Sequence, residues 1–390
     1  MAKLFRRKIL RANVFDKALE RMNLLFDRFD KVCVSFSGGK DSTVCLNLAL
    51  MVASERGRLP LDVYTFDEEA IHPETVEYLH RVAARPDIRF RWYCIPVQHR
   101  NACSRKSPYW YPWNPAERGI WVRELPKTAI TKLPGFSLGM SMPDCAPLVY
   151  GAEHGMVADV RGIRAQESLR RLRMVSMKIE DNWITSPRNG HNCAASPIYD
   201  WTTEDVWLAP KLFGWDYNRT YDVFDKAGVS HSAQRVCPPY GEEPLGGLHQ
   251  YAQCWPHLWH KMIARVPGAA TAARYAKTEL YGYGTIELPE GKTWRTWFDD
   301  LVALWPKTEQ GEIRANVAEL IDLHNRKTLG RDIPAEEADP VSGASWQFFC
   351  ILALRGDLKG RRSGNMQIKG DLTRKKTGQT LEQALAEVGR

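Results

Sequence analysis

The chain has 390 residues, 44% hydrophobic and 26% charged, ordinary for a folded protein and long enough for two or three domains. No run approaches the roughly 18 apolar residues that cross a bilayer, and the basic start Met1-Ala2-Lys3-Leu4-Phe5-Arg6-Arg7-Lys8 lacks the apolar stretch of a secretion signal, so a cytoplasmic location is expected. The net charge of +8 suits an anionic ligand, while nine cysteines without one Cys-x-x-Cys pair argue against a disulfide framework and against an iron–sulfur or zinc site.

Apolar residues at helical spacing over residues 9–29, among them Val14, Ala18, Met22 and Leu25, predict an amphipathic helix leading into the core. Val32-Cys33-Val34-Ser35-Phe36 reads as a strand buried on both faces, with Cys33 a buried thiol. The turn Ser37-Gly38-Gly39-Lys40-Asp41-Ser42 follows, then a buried helix over 43–52 that includes Cys45. The unit repeats: a strand at 61–66, the acidic turn Asp67-Glu68-Glu69, a helix opened by Pro73-Glu74-Thr75, and a third strand over 88–95. Residues 101–150 crowd prolines and aromatics, as in Tyr109-Trp110-Tyr111-Pro112-Trp113, and read as an insertion or lid with little regular structure. Residues 156–163 return as a strand. Thr202 and Asp205 read as an N-cap opening a mainly helical region, Cys350 as a core residue, and 380–388 as a last short helix.

This order predicts an α/β fold: an open, mostly parallel sheet with helices on both faces, followed by a mainly helical C-terminal region. The expected boundaries are an N-terminal helix over 1–30, a nucleotide-binding domain over 31–210, a helical region over 211–354 and a basic tail over 355–390.

The turn at 37–42 carries the strongest chemistry. Glycines at 38 and 39 let the backbone approach a phosphate, the helix that follows adds its positive dipole end, and Lys40 supplies a mobile charge. Ser35, Ser37 and Ser42 add hydroxyls, and Asp41 holds Mg²⁺ or positions the loop. The spacing is not that of a Walker loop. Asp67, at the carboxyl end of the second strand, with Glu68 and Glu69 behind it, either faces a nucleotide's ribose or adenine or a metal, or is a solvated turn; for Glu69 the solvated turn is the reading. Arg161 and Arg164 follow the fourth strand, and helical spacing would put Arg164, Glu167, Ser168 and Arg171 on one face, with Glu167 holding the guanidiniums for phosphate recognition. Arg235 and Cys237 lie together in a Pro/Gly-rich loop, where the cysteine reads as unremarkable unless the arginine activates it. The basic tail and the aromatics at 109–113 would suit nucleic acid.

Taken in order, Ser35-Phe36-Ser37-Gly38-Gly39-Lys40-Asp41-Ser42, Thr65-Phe66-Asp67 with Pro73-Glu74-Thr75, Arg161-Gly162-Ile163-Arg164-Ala165-Gln166-Glu167-Ser168 and Pro197-Ile198-Tyr199-Asp200-Trp201 resemble the phosphoadenosine phosphosulfate (PAPS) reductase superfamily of PP-loop proteins. Trp121-Val122-Arg123-Glu124 and Arg235-Val236-Cys237-Pro238-Pro239-Tyr240-Gly241 resemble its IbrA-like phage and prophage subgroup, which implies a ParB-like partner protein. The resemblance implies an adenine nucleotide α-hydrolase-like fold and a cleft for ATP, or PAPS, built from the PP-loop, Asp67 and the arginines at 161, 164 and 171. The reductases' Glu-Cys-Gly-Leu-His motif is missing, which favours relatives that cleave ATP at the α-phosphate with Mg²⁺ and release pyrophosphate. A sulfonucleotide reductase and a non-catalytic, nucleotide-sensing regulator are the alternatives.

Overall fold

The computed structural model describes residues 12–104, 106–168, 171–172, 175, 182–231, 233–241, 247–275, 286–305, 307–355 and 365–389. The basic N-terminus, residues 169–170 of the arginine segment and residues 356–364 of the tail lie outside them. Two compact units divide the chain at 273/274.

The first unit opens with helix α1 (Val14–Arg28), whose start is capped by the Asn13 side chain accepting from Asp16 N at 2.8 Å. Strands β1 (Lys31–Ser35), β2 (Leu61–Phe66) and β3 (Ile88–Tyr93) alternate with helices α2 (Lys40–Glu55) and α3 (Pro73–Ala83). A short hairpin, β4 (His99–Arg100) with β5 (Tyr109–Trp110), precedes strand β6 (Ala129–Ile130) and helix α4 (Met142–Val149). Strands β7 (Val157–Val160) and β8 (Asn192–Ala195) complete a sheet of order β6-β3-β2-β1-β7-β8, with every pairing parallel. Helices α5 (Thr203–Phe213), α6 (Thr220–Lys226), α7 (Leu248–Cys254), α8 (Pro256–Arg265) and α9 (Ala269–Tyr275) follow. The expected cap on α5 is present: Thr202 Oγ1 accepts from Asp205 N at 3.2 Å, and Asp205 accepts from Thr202 N at 2.7 Å.

Side chains alternate between two cores. Val32, Val34, Leu61 and Val63 pack with α1, α2, α3 and α5 on one face. Cys33, Tyr64 and Tyr93 pack with Leu133, Cys145, Val149 and Tyr150 on the other. The insertion at 101–150 is therefore more than a lid: it supplies the edge strand β6 and the α4 cover of the second face. The chain runs β1, β2, β3 outward, then crosses back to lay β7 on the opposite side of β1. That reversal opens a crevice beyond the carboxyl ends of β1 and β7, the place where open α/β sheets bind ligands.

The second unit has its own core. Trp294, Phe298 and Trp305 from helix α10 (Trp294–Ala303) and the turn after it meet Ile313, Val317 and Leu320 of α11 (Lys307–Thr328) and Phe348, Phe349 and Leu352 of α12 (Trp346–Arg355). Cys350 is buried there, as expected, with its thiol on Trp294 O at 3.0 Å. The segment read as a tail carries two helices, α13 (Asn365–Thr377) and α14 (Leu381–Glu387), and Met366 enters the core. No described helix is long and apolar enough to cross a membrane.

Candidate nucleotide site

β1 hands the chain to the turn through Phe36, whose N–H donates to Tyr64 O at 2.8 Å. Gly38 takes φ 73°, a conformation that costs glycine nothing and most residues strain. Its carbonyl accepts from Asn218 Nδ2 at 2.9 Å, and the same amide donates to Thr75 Oγ1 at 2.8 Å. Gly39 caps α2 with its backbone alone, accepting from the Ser42 and Thr43 hydroxyls at 2.9 and 3.0 Å. Ser37 is exposed, with its oxygen 3.2 Å from that of Ser42. Ser35 is half-buried at the end of β1. The Lys40 N–H donates to the buried Tyr221 hydroxyl at 3.0 Å, so the turn is held from α6 as well as from its own strand.

Lys40 and Arg164 are 8% and 3% exposed and converge on one carboxylate, that of Asp41. Lys40 Nζ is 3.2 Å from Oδ2, and Arg164 Nε donates to Oδ1. Gln166 and Thr203 fix the far side of the Arg164 guanidinium at 3.0 and 3.4 Å. Beside this lies a second group of the same make-up. Glu167 accepts from Arg171, and Arg235 Nη1 stands 3.9 Å away. Each group sets two cations against one carboxylate, which leaves a positive excess at the end of α2, where the helix dipole has the same sign. Arg171 and Arg235 keep about two-fifths of their side chains exposed (38% and 40%).

The predicted helix face holds only in part. Residues 165–167 form a single tight turn; Arg164 precedes it in extended backbone and points to Asp41, while Glu167 and Arg171 pair as the spacing implied. Arg161 is bound to Asp159, which also accepts from Tyr64 OH at 3.0 Å. Asp41 has both oxygens engaged by cations, an arrangement that does not fit a Mg²⁺ ligand, and no cluster of three His, Cys, Asp or Glu suited to a metal occurs among the described residues. Asp67 is 2% exposed; its carboxylate accepts from Trp92 Nε1 at 2.6 Å, from Trp113 Nε1 at 3.2 Å and from Arg123. It ties the insertion to the sheet edge. Glu69 is no solvated turn: it is fully buried and accepts from Trp113 N, Val122 N and the Arg265 guanidinium at 2.7, 2.9 and 2.8 Å. Asp200 pairs with Arg21 of α1 at 2.7 Å, a structural tie.

Tyr221, Asn218, Gln166, Thr203, Arg235 and Arg123 were not among the expected site residues. Only the family motif around Gln166 and the subgroup segments around Arg123 and Arg235 marked any of them; Tyr221 and Asn218 carry no local signal.

Residues 31–223 match the family model described as the phosphoadenosine phosphosulfate reductase domain, and residues 228–327 match a domain of unknown function (DUF3440). Over 366 residues, 88% of each chain, the sequence is 29% identical to the uncharacterized protein YbdN of Escherichia coli (strain K12). Among solved structures, PAPS reductase from Candida auris aligns at a TM-score of 0.32 and 14% identity, over 55% of this chain and 93% of that one. FMN adenylyltransferase of Candida glabrata with FAD and pyrophosphate aligns at 0.33 and 13%, over 55% and 64%. The turn at 37–42 sits at the switch point of the parallel sheet, inside the residues 31–223 that are similar to the phosphoadenosine phosphosulfate reductase domain.

Proposed function

We propose that the crevice binds ATP or a closely related adenine nucleotide and cleaves it at the α-phosphate, transferring the adenylyl group to an acceptor and releasing pyrophosphate. The observation that carries this reading is the pairing of two positive clusters, Lys40–Asp41–Arg164 and Arg171–Glu167–Arg235, at the open N-terminus of a 16-residue helix. The turn and Lys40 would hold the outgoing phosphates, and the half-exposed arginines would meet the charge that develops as the acceptor attacks. The acceptor loses a proton and gains the adenylyl group; the α–β phosphoanhydride breaks. Lys40→Ala should lower ATP affinity and pyrophosphate release by about a hundredfold, read by calorimetry and a coupled pyrophosphate assay. Unchanged binding in that variant would sink the reading.

One observation favours a second reading, reduction of a sulfonucleotide. A Cβ on Gly39 would lie 3.3 Å from Val236 Cγ2, so the half-buried Cys237 next in sequence stands beside the turn. Attack of its thiolate on the sulfonate sulfur of PAPS would break the S–O bond, release adenosine 3′,5′-bisphosphate and leave a cysteine S-sulfonate, from which a dithiol reductant would free sulfite; the S-sulfonate is detectable by mass spectrometry with PAPS and lost in Cys237→Ser. The segments Trp121–Glu124 and Arg235–Gly241 support the IbrA-like subgroup; co-purification of a ParB-like protein with the full chain would test that assignment.

A further inference from the structure

The carboxyl edge of β2 carries an acid and a histidine that the reaction above does not use. Glu68 stands two residues past the end of β2, the parallel neighbour of β1, in which Ser35 is in register with Tyr64. His99 reaches the same place from the β4–β5 hairpin, and its Nδ1 lies 3.4 Å from Glu68 Oε2. Its other nitrogen, Nε2, is buried with no hydrogen-bond partner. The His99 ring rests against Trp110, centroids 5.7 Å apart, and Trp110 meets Tyr240 edge-on at 5.2 Å. Tyr240 is 1% exposed and its hydroxyl too lacks a partner. Two buried polar groups left unsatisfied around one ring mark a place where a polar ligand completes the bonding.

The neighbourhood leads to the phosphate cradle. Tyr251 lies within electrostatic range of Glu68, and its hydroxyl donates to Cys237 O at 3.3 Å; Val236, the preceding residue, packs on Gly39. The charged groups around the pair are spoken for. Asp67 is held by Arg123, Glu69 by Arg265, and Tyr251 and Tyr240 have hydroxyls that burial keeps protonated.

We propose that Glu68 and His99 form a proton-holding pair whose Nε2–H binds an anionic oxygen of the nucleotide in the crevice. This rests on the nucleotide-binding reading. Burial, reinforced by Asp67, pushes the Glu68 carboxyl up to about 8, and burial pulls His99 down to about 4. Near neutral pH the pair therefore keeps one proton between Oε2 and Nδ1. Wherever that proton sits, the second ring hydrogen is on Nε2, so the buried nitrogen is a donor in search of an acceptor. Glu68 is the positioning residue and His99 the contact. When pH rises through about 8 the shared proton is lost, Nδ1–H turns to the carboxylate, Nε2 becomes an acceptor, and an anion is repelled.

The test uses the full chain, with ATP plus magnesium chloride and, separately, AMP, titrated calorimetrically between pH 7 and 9. ATP affinity should fall about tenfold over that interval, as linkage to one proton requires. Glu68→Gln removes the titrating carboxyl and keeps an uncharged partner for Nδ1, so its affinity should change by less than about twofold between pH 7 and 9. His99→Phe should bind weakly at both pH values. A matching slope for AMP would place the contact on the α-phosphate; a slope for ATP alone would place it further out. A parental slope retained in Glu68→Gln overturns the pair. The nucleotide-binding reading fails separately: the parent would then bind neither ATP nor AMP at pH 7. The pair can still be read without ligand, from ¹⁵N shifts of His99, which should report Nε2–H at pH 7 and a shift to Nδ1–H above pH 8; a His99 ring that keeps one tautomer throughout overturns it.

Discussion

Glu69 has a φ of 61° and no exposure, and it accepts from two backbone N–H groups and from Arg265, itself 1% exposed at the side chain. Such a carboxylate survives burial only because every lone pair is met. Arg265→Met should therefore destabilise the protein by about 3–5 kcal/mol, since it strands the acid, while the double variant Glu69→Gln with Arg265→Met should recover part of the loss. Urea denaturation measures both. Glu69 read as a solvated turn from sequence because the arginine that changes its character lies 196 positions away. Asp67, which the sequence leaves open between a ligand contact and a solvated turn, has its carboxylate taken by Arg123 and two indoles of distant segments. The convergence of Lys40 and Arg164 on the turn follows from their motifs, and the pairing of Arg171 with Glu167 from their spacing, yet that Arg235 shares Glu167 carries no local signal.

The elements of the crevice fit by contact between two loops rather than by any one of them. A Cβ at Gly162 would lie 2.6 Å from the Asp41 carbonyl carbon and 2.7 Å from Ser42 N, backbone atoms at the root of α2 that cannot swing aside. Gly162→Ala should push the loop after β7 off the PP-loop and pull Arg164 from Asp41. The expected result is a loss of ATP affinity of about tenfold or more, with the far-ultraviolet circular dichroism unchanged; parental affinity would show that the two loops need not touch. The strands and helices from 31 to 93 were read from apolar runs and turn residues to within a few positions. β6 and β8 were not, since two- and four-residue strands carry too little pattern to stand out. The expectation that 101–150 has little regular structure came from its prolines and aromatics, and its elements are short; what the pattern did not show is that Trp110 and Trp113 are buried.

For the whole molecule, the division at 273/274 leaves each part its own core: the two faces of the sheet in one, and Trp294, Trp305, Phe348 and Phe349 in the other. A fragment of residues 274–390 should accordingly melt cooperatively by circular dichroism; a gradual, non-cooperative trace would show that it needs the first part to fold. What the sequence determined by itself was the succession of parallel strands, the glycine-rich turn after the first of them and the basic residues beside it, because periodicity, glycine placement and motif order are local properties. Which carboxylates are engaged inside, which arginines stay partly exposed, how Tyr221 comes to hold the turn and how Glu68 meets His99 were decided only by the tertiary structure. Burial and pairing join residues far apart in the chain, and a side chain's charge acquires its chemical meaning from those neighbours.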